Sequence, residues 1–119
     1  LKTARMGYDG KGQAMIRATE EAEAAWKHMN NAECILEGFV EFSMEASVIV
    51  ARNPNGETAC YPLVENIHKH HILHQTLVPA RVPEAVAKEG ERIACTLAEA
   101  LMLEGLLAVE LFVTKDGAL

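Results

Sequence analysis

Between Glu45 and Val64 the chain reads EASVIVARNPNGETACYPLV: an alternating β-branched run, a four-residue turn signal and a second run that returns. Alternation with a period of two places successive side chains on opposite faces, and Asn53-Pro54-Asn55-Gly56 between the runs predicts a hairpin over Glu45 to Arg52 and Glu57 to Val64. Pro62 lacks an N–H, so the return arm is expected at a sheet edge or with a bulge. An antiparallel sheet is thus the constraint every other segment must satisfy.

The remaining elements are read around it. Leu1-Lys2-Thr3 and Ala14 to Arg17 form the arms of a second hairpin whose tip is GYDGKGQ, residues 7 to 13. A helix is predicted from Thr19 as its cap to Asn30-Asn31, with acidic residues in the first turn, Trp26 in the core and His28 on the surface. Cys34 to Val40 reads as a short strand, and residues 65 to 81 as polar, histidine-rich and without a clear period. Pro83 suits a first helical position, Val86, Gly90, Ile93, Leu97 and Leu101 mark one face, and Gly105 stops the helix after Leu103. Gly90 should cost that helix about 1 kcal/mol relative to alanine. LLAVELFVT, Leu106 to Thr114, is the last strand. Strands and hairpins with helices between them give an α+β class with largely antiparallel sheets.

Composition narrows function. A chain of 119 residues, half of them hydrophobic, has the length of one domain or two small lobes. No run approaches a membrane span and no secretory leader is visible. The three cysteines, Cys34, Cys60 and Cys95, form no C-x-x-C pair, so neither a disulfide framework nor a thiolate metal site is suggested, and reduced thiols in the cytoplasm fit best. A net charge of −6 argues against nucleic acid as a partner. No nucleophile elbow or Ser-His-Asp order supports hydrolase chemistry. The opening at Leu1 and the stop just after a turn signal read as an excerpt of a longer chain.

Within residues 1 to 17, Lys2, Arg5, Lys11 and Arg17 face a single acid, Asp9. Gly7, Gly10 and Gly12 match neither a P-loop nor a dinucleotide fingerprint; the stretch is either a plain hairpin tip or a flexible flap whose N–H groups and lysines hold a polyphosphate. Glu110 falls mid-strand among apolar neighbours, which predicts a buried carboxylate held by a salt bridge or by a nucleotide-bound Mg²⁺. Glu37 and Glu45 are solvated strand residues or ligand contacts, and Glu37-Gly38-Phe39-Val40 leaves main-chain groups for a flat heterocycle. His68, His70, His71 and His74 have no standard zinc spacing and read as loop histidines, one of them touching a ligand.

Together, the lysine-bearing strand, LKTARMGYDGKGQ, the Glu-Gly strand end, YPLVENIH and LLAVELFVTKDG resemble the ATP-grasp fold and, more narrowly, the 5-(carboxyamino)imidazole ribonucleotide synthases of purine biosynthesis. The resemblance covers essentially the whole chain. It implies a fragment of two lobes, residues 1–40 with the glycine-rich lid and 41–119 cut before its end. It implies an ATP- and bicarbonate-dependent carboxylation of 5-aminoimidazole ribonucleotide through carboxyphosphate, with the excerpt alone inactive and the full-length protein a homodimer. By position, Lys2, Gly7, Tyr8, Asp9, Gly10, Lys11, Gly12 and Gln13 match phosphate contacts, with Lys11 also catalytic; Glu37, Gly38, Phe39 and Val40 match the adenine connector. Glu45 matches a ribose contact, His68 a further nucleotide contact, and Glu110 the first of two Mg²⁺ carboxylates, the second falling a few residues beyond Leu119. The His70-His71 turn is more basic than the family's pattern. Another ATP-grasp ligase with a different small acceptor, or a non-catalytic nucleotide-binding module, are the alternative readings.

Overall fold

The computed structural model of the chain describes residues 1–7 and 10–119; Tyr8 and Asp9, both matched above to phosphate contacts, lie outside the described residues. The chain divides into two compact units, Leu1–Phe39 with Lys69–Ile72, and Val40–His68 with Leu73–Leu119.

In the first unit, strand β1 (Lys2–Thr3) pairs antiparallel with β2 (Cys34–Ile35). The glycine segment folds back on the other edge of β1. Thr3 N–H donates to Gly12 O at 2.8 Å, Ala14 N–H donates to Leu1 O at 2.9 Å, and Lys2 faces Gln13. The return arm is therefore residues 12–14 rather than Ala14 to Arg17, because a two-residue strand offers no ladder partners further on. Helix α1 (Ala22–His28) follows a 3-10 turn, Thr19–Glu21. Thr19 does not cap; the Glu21 carboxylate reaches back to accept from Arg17 N–H at 2.8 Å, since a longer acidic side chain spans the turn that a threonine hydroxyl cannot. Asn30 and Asn31 end the helix at φ 55° and 54°, where Asn N–H groups return to Lys27 O and Trp26 O. Trp26, expected in the core, is 45% exposed: its indole N–H donates to Ala32 O at 2.8 Å, which holds the ring at the rim. Met29 is the buried hydrophobe of this unit among the described residues. The strand predicted to Val40 stops at Ile35, and Glu37 to Val40 run exposed and irregular.

The second unit is built on β3 (Phe42–Arg52), with β4 (Thr58–Cys60), β5 (Val64–Lys69), β6 (Ile72–Leu77), α2 (Glu84–Ala100) and β7 (Gly105–Thr114) around it, except that the ends of β5 and β6 at Lys69 and Ile72 are counted with the first unit. Strand β7 covers one edge of β3 along its length, with Ser47 opposite Glu110. The other edge is shared: Val50 opposes Cys60 and Ser47 opposes Val64, so Tyr61, Pro62 and Leu63 stand across from only Val48 and Ile49. That extra residue is the bulge Pro62 called for. The Asn53 side chain accepts from the N–H groups of Asn55 and Glu57, both at 3.0 Å, and closes the β3–β4 turn as predicted.

Residues 65 to 81, expected to be irregular, contain the β5–β6 hairpin. Its tip is His70-His71 at φ 53° and 64°, the left-handed pair a two-residue hairpin turn needs. Histidine tolerates that region better than most residues but is no turn marker, so the hairpin left no trace in composition.

The core lies on one face of the sheet: Ala46, Val48 and Val50 from β3, Val109 and Val113 from β7, Leu63 from the bulge, and Ala94 and Ala98 from α2. The helix is rotated from its predicted face. Gly90, Ala94 and Ala98 are buried, whereas Leu97 and Leu101 are 40% and 64% exposed. A Cβ on Gly90 would lie 2.9 Å from Leu63 Cδ1, so small residues let the helix approach and the propensity cost of Gly90 is offset by packing. Pro83 precedes the helix as its cap residue, and Met102 at φ 48°, not Gly105, turns the chain out of it.

Candidate functional site

In the first unit the backbone of β1 and its glycine return encloses a cavity of about 330 Å³ lined by residues 2–7 and 10–13. Glycine is required on its wall at two points. Gly12 has φ +71° and a Cβ there would sit 2.5 Å from Thr3 Oγ1; Gly10 has φ +75° and its Cβ would sit 2.8 Å from the His71 ring. The bare backbone thus lies close against its neighbours while Lys2, Arg5 and Lys11 bring cationic ends to the same lining. Lys2 Nζ also pairs with Glu37 at 2.9 Å, which ties the glycine wall to the start of the Glu37–Val40 stretch. A concavity of main-chain donors with three cations suits a polyanion.

The second unit leaves one sheet face open, as antiparallel sheets commonly do. Alternation along β7 is as predicted, but the Glu110 face is the uncovered one: Glu110 is exposed rather than buried, and Phe112 beside it is 42% exposed. Burial therefore demands no salt bridge for Glu110, because α2 packs against the opposite face and the cost of a buried charge never arises. Among the described residues no hydrogen bond or ion pair engages the Glu110 carboxylate. Ser47 is its cross-strand neighbour, Phe112 stacks on Phe42 with ring centroids 4.4 Å apart, and Asn66 Nδ2 donates to Ser47 Oγ at 2.8 Å. Glu45 lies on the same face, paired through its carboxylate with His68 Nδ1.

Lys2, Gly7, Gly10, Lys11, Gly12, Gln13 and Glu37 are accordingly gathered in the first unit, and Glu45, His68 and Glu110 share the open face of the second. Gly38 has open space where a Cβ would be, and Phe39 is 70% and Val40 43% exposed. Sequence reasoning missed Thr3 in the cavity lining and named Arg5 only as part of the positive window, and it missed Ser47, Asn66, Phe42 and Phe112 on the open face. For Ser47 and Phe112 the signal existed: each is two residues from a singled-out glutamate on an alternating strand. Among the described residues no group of three His, Cys, Asp or Glu side chains is placed to hold a metal ion by itself.

The ATP-grasp domain family matches the chain over residues 1–119. The chain belongs to the ATP-grasp family. Among ATP-grasp relatives, the N5-carboxyaminoimidazole ribonucleotide synthase of Bacillus subtilis is 49% identical over all 119 residues, which are 31% of its length. The enzyme of that name from Brucella melitensis is 46% identical, covering 100% of this chain and 33% of its own. The solved structure of an N5-carboxyaminoimidazole ribonucleotide synthetase in its ADP complex superposes with a TM-score of 0.87 at 49% identity, over 98% of this chain and 31% of that one. The chain thus spans about a third of the length of the ATP-grasp relatives it matches.

Proposed function

We propose that this ATP-grasp chain is the nucleotide-holding part of an enzyme that carboxylates 5-aminoimidazole ribonucleotide at the expense of ATP, with bicarbonate as carbon source, in purine biosynthesis. The observation that carries the reading is identity of 49% along the entire chain to a protein of that name, joined to an equally similar structure solved with ADP.

The residues have roles that fit. Phosphoryl transfer to bicarbonate needs positioning and charge neutralisation more than a protein nucleophile. Lys2, Lys11 and the N–H groups of residues 7–13 would hold the polyphosphate, Lys11 offsetting charge that builds on the transferred group. Closure of the glycine segment would keep water from carboxyphosphate. Glu37 to Val40 would border the adenine, and Glu45 with His68 the ribose.

Glu110 fits a cation brought by the nucleotide: an exposed carboxylate with no partner among the described residues is one oxygen ligand, and Mg²⁺ commonly takes one or two carboxylates with phosphate oxygens and water. Such an ion would neutralise the β- and γ-phosphates. The proposal extends to a homodimeric full-length protein and a cytoplasmic location. Among the described residues no helix is long and apolar enough to cross a membrane.

In the full-length protein, Glu110→Ala should lower Mg-ATP turnover by about 10²-fold or more while leaving the circular dichroism spectrum unchanged. ADP release should require both bicarbonate and 5-aminoimidazole ribonucleotide. Release that ignores the ribonucleotide but responds to another small acceptor would favour a different ATP-grasp ligase.

A further inference from the structure

On the core side of the second unit's sheet, opposite the face that carries Glu45 and Glu110, Cys60 on β4 and Cys95 on α2 bring their sulfurs to 2.9 Å although 35 residues separate them. Both residues are partly exposed and both are free thiols. The sequence offered no C-x-x-C spacing, and the pair arises because the edge strand β4 packs beneath the third turn of the helix. Cys60 also donates to Glu91 O at 3.8 Å, which keeps its side chain turned toward α2.

We propose that Cys60 and Cys95 are an oxidative modification site that a low-molecular-weight disulfide converts into an intramolecular disulfide, stapling β4 to α2. The sulfurs need approach by less than an ångström to reach the bond length of about 2.05 Å. In the first step one protein thiolate attacks the small disulfide, forming a mixed disulfide and releasing one small thiol. In the second, the other protein thiolate attacks the protein sulfur of that mixed disulfide and releases the second small thiol. Two S–H protons and two electrons pass from the cysteine pair to the small disulfide, and one protein S–S bond forms. The Cys60 thiol is pushed up to about 12, by burial first, then by the hydrogen bond with Cys95, with the nearby Cys95 and Glu91 charges adding to it. The reaction is therefore slow at neutral pH, but the second thiol is already in contact, so a mixed disulfide on either sulfur resolves internally.

The test incubates the full-length protein with oxidised glutathione, alkylates the remaining thiols and maps peptides without reduction. The expected result is a peptide pair joined through Cys60 and Cys95, a mass loss of about 2 Da for the protein, and reversal by dithiothreitol. Stable glutathione adducts on Cys60 or Cys95 without the crosslink, or a crosslink only between separate chains, would overturn the proposal. Cys60→Ser and Cys95→Ser should each abolish the crosslink and leave a persistent mixed disulfide on the remaining thiol; a variant that still loses two thiols to an internal bond also refutes the pairing.

Discussion

Gly12 is the tightest of the described glycines, with Thr3 Oγ1 2.5 Å from where a Cβ would be and a backbone at φ +71°. Gly12→Ala should therefore shift the return arm away from β1 and weaken ATP binding to the full-length protein by about 10-fold or more, read by titration calorimetry. Lys88→Ala, on the exposed side of α2, is the control that should leave affinity unchanged; equal affinity for both variants would reduce the glycine stretch to a plain hairpin tip. A second residue-scale prediction concerns Glu65, which is only 6% exposed and is held by Arg81 through bonds of 2.8 and 2.5 Å. The guanidinium hydrogen bonds keep this carboxyl below its ordinary 4.5, against the opposing pull of burial. The native state thus releases this proton more readily than the unfolded chain does. Its stabilising contribution is complete above about pH 4.5 and is lost as the pH falls through the lowered native value. Urea unfolding of the wild type and Arg81→Met should differ most at neutral pH, and the two stability curves should converge in acid.

Helix α2 ends in a double return, Met102 N–H to Glu99 O and Leu103 N–H to Ala98 O, with Met102 at φ 48° where glycine is usual. The left-handed backbone costs a side-chain-bearing residue about 1 kcal/mol or more, while glycine adds unfolded-state freedom worth about 0.4–1 kcal/mol. Met102→Gly should then stabilise the protein by a few tenths of a kcal/mol, measured by chemical denaturation. Helix α1 ends the same way on Asn30, a residue that accepts φ of 55° at less strain, so Asn30→Gly should gain less. The asparagines announce that ending in the sequence and the methionine does not, which is why the sequence points to Gly105 as the stop of α2. Element identity was legible where side-chain type and backbone demand coincided, as in the Asn53 turn and the Pro62 bulge. In composition and period it was illegible at His70-His71, where only the family resemblance marked a turn and the backbone imposes one on residues that do not advertise it.

For the molecule as a whole, the two units differ in how much they bury. The second has a core of eight buried hydrophobic residues between sheet and helix, and β3 is paired on both edges. In the first, Met29 is the buried hydrophobe among the described residues, and its strands are two residues long. Amide exchange should be slowest in β3 and β7 and faster, by about 10²-fold or more, across β1, β2 and α1. Equal protection in both would contradict the burial pattern. The amino-acid sequence alone determined the periods: two along β3 and β7, close to four along α2, with left-handed breaks at glycine and asparagine. These follow from local backbone sterics and side-chain chemistry, which a chain carries with it into any environment. Tertiary structure alone decided which face of each period is covered. Glu110 is exposed and Leu97 half out of the core because the small residues Gly90, Ala94 and Ala98 pack closest to the sheet, and Cys60 meets Cys95 because that close approach sets β4 against the helix. Periodicity repeats along one element, whereas burial is a contest among several for the same limited volume.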